Sequence, residues 1–104
     1  MIVATPPAPP ARVQVVAREF SLALSRQRIR SGSAIIELAN FGEDAHDLRL
    51  HRVGGKVVYK WPVAQSGDVE DKTLRLGPGT YRLWCGVANH RALGMTATLV
   101  VVKR

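Results

Sequence analysis

From Ser31 onward, turn signals recur about every eleven residues, and nothing between them is long enough to make a packed helix. They stand at Ser31-Gly32, Gly42-Glu43-Asp44, Gly54-Gly55, Ser66-Gly67-Asp68 and Gly77-Pro78-Gly79. The intervening runs alternate apolar and polar residues with a period of two. That period predicts strands at Val13–Glu19, Phe20–Leu24, Ala34–Asn40, His46–Val53, Lys56–Trp61, Thr73–Leu76, Thr80–Cys85 and Met95–Lys103. Seven or eight short strands with no helix between them predict an all-β antiparallel sandwich. At 104 residues the chain is the size of one domain with one hydrophobic core.

The N-terminal stretch is different. Residues 1–11 read as a leader or linker, with Thr5-Pro6-Pro7-Ala8-Pro9-Pro10 favouring an extended polyproline conformation, and the domain proper as 12–104. Such a leader spaces a domain from a membrane anchor or a second domain, or it is a frayed terminus with no role. No run approaches the roughly 20 apolar residues of a membrane-spanning helix, and the first residues lack the pattern of a secretory signal. The net charge of +7 favours an acidic partner or surface. Its cations are scattered, without a basic run interleaved with aromatics, so nucleic-acid binding is not expected.

A single cysteine, Cys85, excludes an internal disulfide. It is then an inert core residue, a nucleophile or a metal ligand. Its neighbours bear on the choice. Between the last two predicted strands the chain reads Cys85-(x4)-His90-(x4)-Met95, a thiol, an imidazole and a thioether in one loop. Alternation puts Cys85 on the inward face with Tyr81 and Leu83, Met95 with Ala97, Leu99 and Val101, and His46 with Leu48 and Leu50. Three strands thus each present one potential ligand at the end of an apolar face. Two histidines and a cysteine with a weak axial methionine suit copper in electron transfer. Closed zinc sites use Cys, His or carboxylate instead.

Asn40-Phe41-Gly42-(x3)-His46-Asp47, followed by Gly79-Thr80-Tyr81-(x3)-Cys85-(x4)-His90-(x4)-Met95, resembles the cupredoxins over about Val13 to Val102. The spacing is most similar to the rusticyanin and auracyanin group. The resemblance implies a Greek-key β-sandwich binding one type 1 copper ion through His46, Cys85, His90 and Met95, with Asn40, Asp47 and Gly86 supporting these ligands. It implies a monomeric, extracytoplasmic carrier of single electrons (periplasmic or secreted), not an enzyme, with His90 as the edge through which electrons pass to a redox partner protein. Net charge favours an acidic partner, and the leader leaves room for a membrane tether. Asp47 stands where the family often has Asn, tying the ligand loops together. Arg91 puts a cation where many relatives present an apolar docking patch.

Other residues have plainer expectations. His51 falls on the opposite face from His46, which favours a surface role. Tyr81 resembles the tyrosine corner of β-sandwiches, Trp61 and Trp84 are packing residues, and Glu43 and Asp44 form the turn before His46. Gly86 and Gly94 are expected where backbone dihedrals favour glycine. A catalytic Cys–His pair would need an orienting third group and a cleft. A binuclear copper centre would need two cysteines. Copper delivery or storage, and a detached domain of a larger copper redox enzyme, are the remaining alternatives.

Overall fold

The structure is a computed structural model, and it describes residues 8–104. Residues 1–7 of the expected leader fall outside that range, and Ala11 opens the first strand. Nine strands follow among the described residues: β1 (Ala11–Arg18), β2 (Ser21–Leu24), β3 (Arg28–Arg30), β4 (Gly32–Asn40), β5 (Arg49–Arg52), β6 (Val58–Lys60), β7 (Val69–Leu76), β8 (Gly79–Trp84) and β9 (Thr96–Val102). They form two sheets, ordered β2-β1-β4-β7 and β3-β9-β8-β5-β6. The chain is all-β, and no helix among the described residues is long and apolar enough to cross a membrane.

Alternation explains how the two sheets meet. Val13, Val15 and Ala17 of β1 and Ile36 and Leu38 of β4 turn inward from one sheet. Leu50 of β5, Leu83 of β8, and Leu99 and Val101 of β9 turn inward from the other. Fully burying a Val, Leu or Ile side chain is worth about 1.5–3 kcal/mol, and the facing apolar sets hold the layers together. The polar tips of buried aromatics find partners. Trp61 Nε1 donates to the Ile36 carbonyl at 3.1 Å, joining the β6 side to β4. The Tyr81 hydroxyl donates to the Gly77 carbonyl at 2.8 Å, the back-reaching bond of a tyrosine corner.

Three features depart from the reading of the sequence. The sheets are mixed, because β1 pairs with β4 and β3 with β9 in parallel. A ninth strand, β3, carries one inward residue, Ile29, in a run too short to show a period. β7 begins at Val69 rather than Thr73, since its outer face is solvated and Glu70-Asp71-Lys72 looks like loop. Asn40 ends β4, Cys85 follows β8 and Met95 precedes β9. His46 pairs with Ala64 in an isolated bridge just before β5. All four therefore lie at one end of the sandwich.

Candidate metal centre

Two loops build this end, and each is held by its own backbone. Asn40 shapes the first. Its side-chain amide donates to the carbonyls of Asp44 at 2.8 Å and Ala64 at 2.9 Å, and its Oδ1 accepts from Gly42 N at 2.9 Å. The His46–Ala64 bridge, with N···O distances of 3.0 and 2.8 Å, then fixes where the His46 ring enters the core. The second loop is closed on itself. Cys85 N donates to the Met95 carbonyl at 3.1 Å, and Met95 N donates to the His90 carbonyl at 3.1 Å. The loops are tied together by Asp47, whose Oδ1 accepts from Gly86 N at 2.5 Å. Asp47 is only 6% exposed although strand parity sets it on the face opposite His46, because the loop carrying Gly86 folds over it.

Within this frame His46 Nδ1, His90 Nδ1 and Cys85 Sγ converge, and all three residues are buried. The separations are 3.2 Å between the nitrogens, 3.9 Å from Sγ to His46 and 3.7 Å from Sγ to His90. A point inside this triangle lies about 2.1 Å from all three atoms, close to ordinary metal–nitrogen and metal–thiolate bond lengths. The donor set therefore fits one metal ion. Burial, the largest influence, pushes the Cys85 thiol above its ordinary pKa, against amides of Val87 and Asp47 that favour the thiolate. A cation at the centre of the triangle would reverse that balance and hold the sulfur ionised.

Both imidazoles turn Nδ1 inward and Nε2 outward. His46 Nε2 lies 3.0 Å from Glu19 Oε1, and His90 Nε2 lies 3.8 Å from Asp44 Oδ2. Glu19 was not singled out from the sequence. Its oxygen also accepts from Asp44 N at 2.6 Å. That bond, ahead of the cost of burial and a further amide bond from Glu43, brings the carboxyl down to about 2. No local pattern marks Glu19, because its place follows from the parallel register of β1 with β4. Ala17 pairs with Asn40, so two residues further on Glu19 meets Gly42.

Met95 is fully buried and bonded through its backbone to both Cys85 and His90, and its side chain belongs to the hydrophobic core cluster. His90 is 7% exposed, its outer edge facing the Phe20 ring at a centroid distance of 5.0 Å. Gly86 owes its identity to close approach rather than to dihedrals, since a Cβ there would run into the Arg49 guanidinium. Gly94 does adopt a positive φ, 119°. Arg91 lies over the Trp84 ring, 4.5 Å from its centroid. His51 is directed away, to the Val57 carbonyl at 3.1 Å.

No family model and no curated protein matches this sequence. Solved structures do match. An auracyanin from Roseiflexus castenholzii superposes with a TM-score of 0.72 at 16% identity, covering 88% of this chain and 97% of that one. Auracyanin A of Chloroflexus aurantiacus, described as a "blue" copper protein, gives 0.73 at 17% identity, covering 90% and 100%. A reduced amicyanin variant gives 0.67 at 17% identity, covering 91% and 86%. With two mixed sheets in this order and a His–Cys–His cluster at one end, the chain has the cupredoxin fold.

Proposed function

We propose that this chain is an electron carrier that holds one copper ion in a type 1 site, with His46, Cys85 and His90 as the strong ligands and Met95 as the axial one. The carrying observation is the buried triangle of two Nδ1 atoms and one thiol sulfur, sized for a single ion. Copper bound there supplies a one-electron Cu(II)/Cu(I) couple. The protein's part is to keep the donors in place. The Asn40 network and the His46–Ala64 bridge fix one imidazole, and the self-bonded Cys85–Met95 loop fixes the other ligands. Donors held from two rigid loops need little rearrangement when charge changes, which favours fast exchange of single electrons.

His90 offers the short way out, because its ring touches the centre on one side and keeps slight exposure on the other. The partner is a redox protein that docks over Phe20 and Leu93, both exposed apolar residues. By likeness to auracyanins and amicyanins, the domain works outside the cytoplasm and carries electrons rather than catalysing bond changes. A centre this closed argues against copper delivery, which needs a site open to exchange.

The test is a visible absorption spectrum after one equivalent of Cu(II) is added. An intense thiolate-to-copper band, bleached by ascorbate and absent from a folded Cys85→Ala variant, is the expected result. A colourless wild-type protein, or a blue Cys85→Ala protein, would overturn the assignment.

A further inference from the structure

Glu19 occupies a place that invites explanation. A carboxylate that only faced solvent would not be gripped by the protein, yet this one is gripped from three sides. Asp44 N donates to Oε1 at 2.6 Å, the Glu43 amide also points at it, and His46 Nε2 sits 3.0 Å from the same oxygen. Space has been left for it as well. A Cβ at Gly42 would stand 2.5 Å from both carboxylate oxygens, so the glycine opens the turn to admit the acid. The oxygen that meets His46 is therefore presented by the same turn, Phe41 to Asp44, that leads the chain into His46 itself.

The bond has a chemical consequence. A carboxylate is an acceptor only, so His46 Nε2 must be the donor, and the ring proton resides there. Nδ1 is then left with its lone pair aimed at Cys85 and His90, as a metal ligand requires. Such a partner also raises the basicity of the ligating nitrogen and adds a full negative charge one imidazole away from the metal. The charge favours the more positive metal state.

We propose that Glu19 is a positioning residue of the metal centre, fixing the His46 tautomer and biasing the bound copper toward its oxidised form. This rests on the copper reading above. Glu19→Gln keeps the size and the accepting oxygen but removes the charge, so a purely structural role predicts no change in redox equilibrium. Glu19→Ala removes the acceptor altogether. Gly42→Ala pushes the carboxylate out of its place with no change to Glu19.

Two measurements decide it. In the copper-loaded protein, Glu19→Gln retains the intense band, and its preference for Cu(II) over Cu(I) falls about tenfold, a rise in potential of about 59 mV. In the metal-free protein, nitrogen-15 shifts of the His46 ring show an Nε2–H tautomer in the wild type. That tautomer loses its dominance in Glu19→Ala, and Gly42→Ala supplies the same readout if Glu19→Ala does not fold. An unchanged potential in Glu19→Gln, or an unchanged tautomer when the carboxylate is removed, overturns the proposal while leaving the copper reading intact. A wild type that forms no band overturns the copper reading, and the tautomer then decides by itself whether Glu19 positions His46.

Discussion

Tyr81 shows how one side chain can be both packing and pH sensor. Its ring is buried, and burial, the main influence, raises its phenol above the ordinary value of 10.0. Between that value and the higher folded one, the unfolded chain has released a proton that the folded chain keeps. The unfolded state then binds fewer protons, so stability falls as pH rises past about 10. Tyr81→Phe loses the bond to Gly77 and costs about 1 kcal/mol at neutral pH. The gap between the two proteins should narrow above pH about 10 in urea titrations, and a gap that stays constant would mean the phenol titrates alike in both states. Residues of this kind were legible in the sequence, as were His46, Cys85 and His90, because strand parity and loop spacing are local signals. Glu19 was not, because it reaches His46 only through a parallel pairing of β1 with β4 that no neighbouring residue announces. Asp47 was legible as a tie between loops but not as a buried group, since parity does not foresee a loop folding over it.

At the scale of elements, the Cys85–Met95 loop joins two strands that alternation alone bounds to within a residue, and its glycines test why it folds as it does. Gly94 has a φ of 119°, and a Cβ there would also stand 3.3 Å from the Phe20 carbonyl, a backbone atom that cannot swing aside. Gly86 faces only the guanidinium of Arg49, the mobile end of a long side chain whose Nε is buried without a hydrogen-bond partner. Gly94→Ala should therefore cost about 1–3 kcal/mol, and Gly86→Ala less, because Arg49 can move out toward solvent. Denaturant midpoints of the two metal-free variants give the order. A larger loss at Gly86 would mean that Arg49 is pinned by its contact with Asp47. The other elements mark the limit of local reading. Arg28-Ile29-Arg30 has one apolar residue and no period. The start of β7 has one apolar residue, Val69, ahead of Glu70-Asp71-Lys72, and only pairing with β4 makes a strand of it.

Across the whole molecule the charge is separated along the strands. Arg30 ends β3 and Arg52 ends β5, while Arg75 and Arg104 lie beside the Gly32 and Gly77–Pro78 turns. The bonds Arg104 Nε to Ser31 O at 2.9 Å and Arg52 Nε to Pro78 O at 3.1 Å fasten two of these cations to the same pole. The metal end instead holds Glu19, Glu43, Asp44, Asp47, Asp68 and Glu70 against Arg18, Arg49, Lys60 and Arg91. The nine residues of β4 separate the poles by about 26 Å, well beyond the screening length of about 10 Å at 0.1 M salt. The net charge of +7 is therefore not the charge a reagent meets at the centre. Oxidation of the copper-loaded, reduced protein by ferricyanide should be nearly flat, or rise slightly, as salt increases from about 0.1 to 0.5 M. Arg75→Glu with Arg104→Glu removes about four units of net charge at the far pole and should leave that rate unchanged. A rate that falls steeply with salt, and falls again in the double variant, would mean the far cations do steer the encounter. An acidic partner would then be drawn by the whole molecule; otherwise it meets the cations of this end, Arg18, Arg49, Lys60 and Arg91.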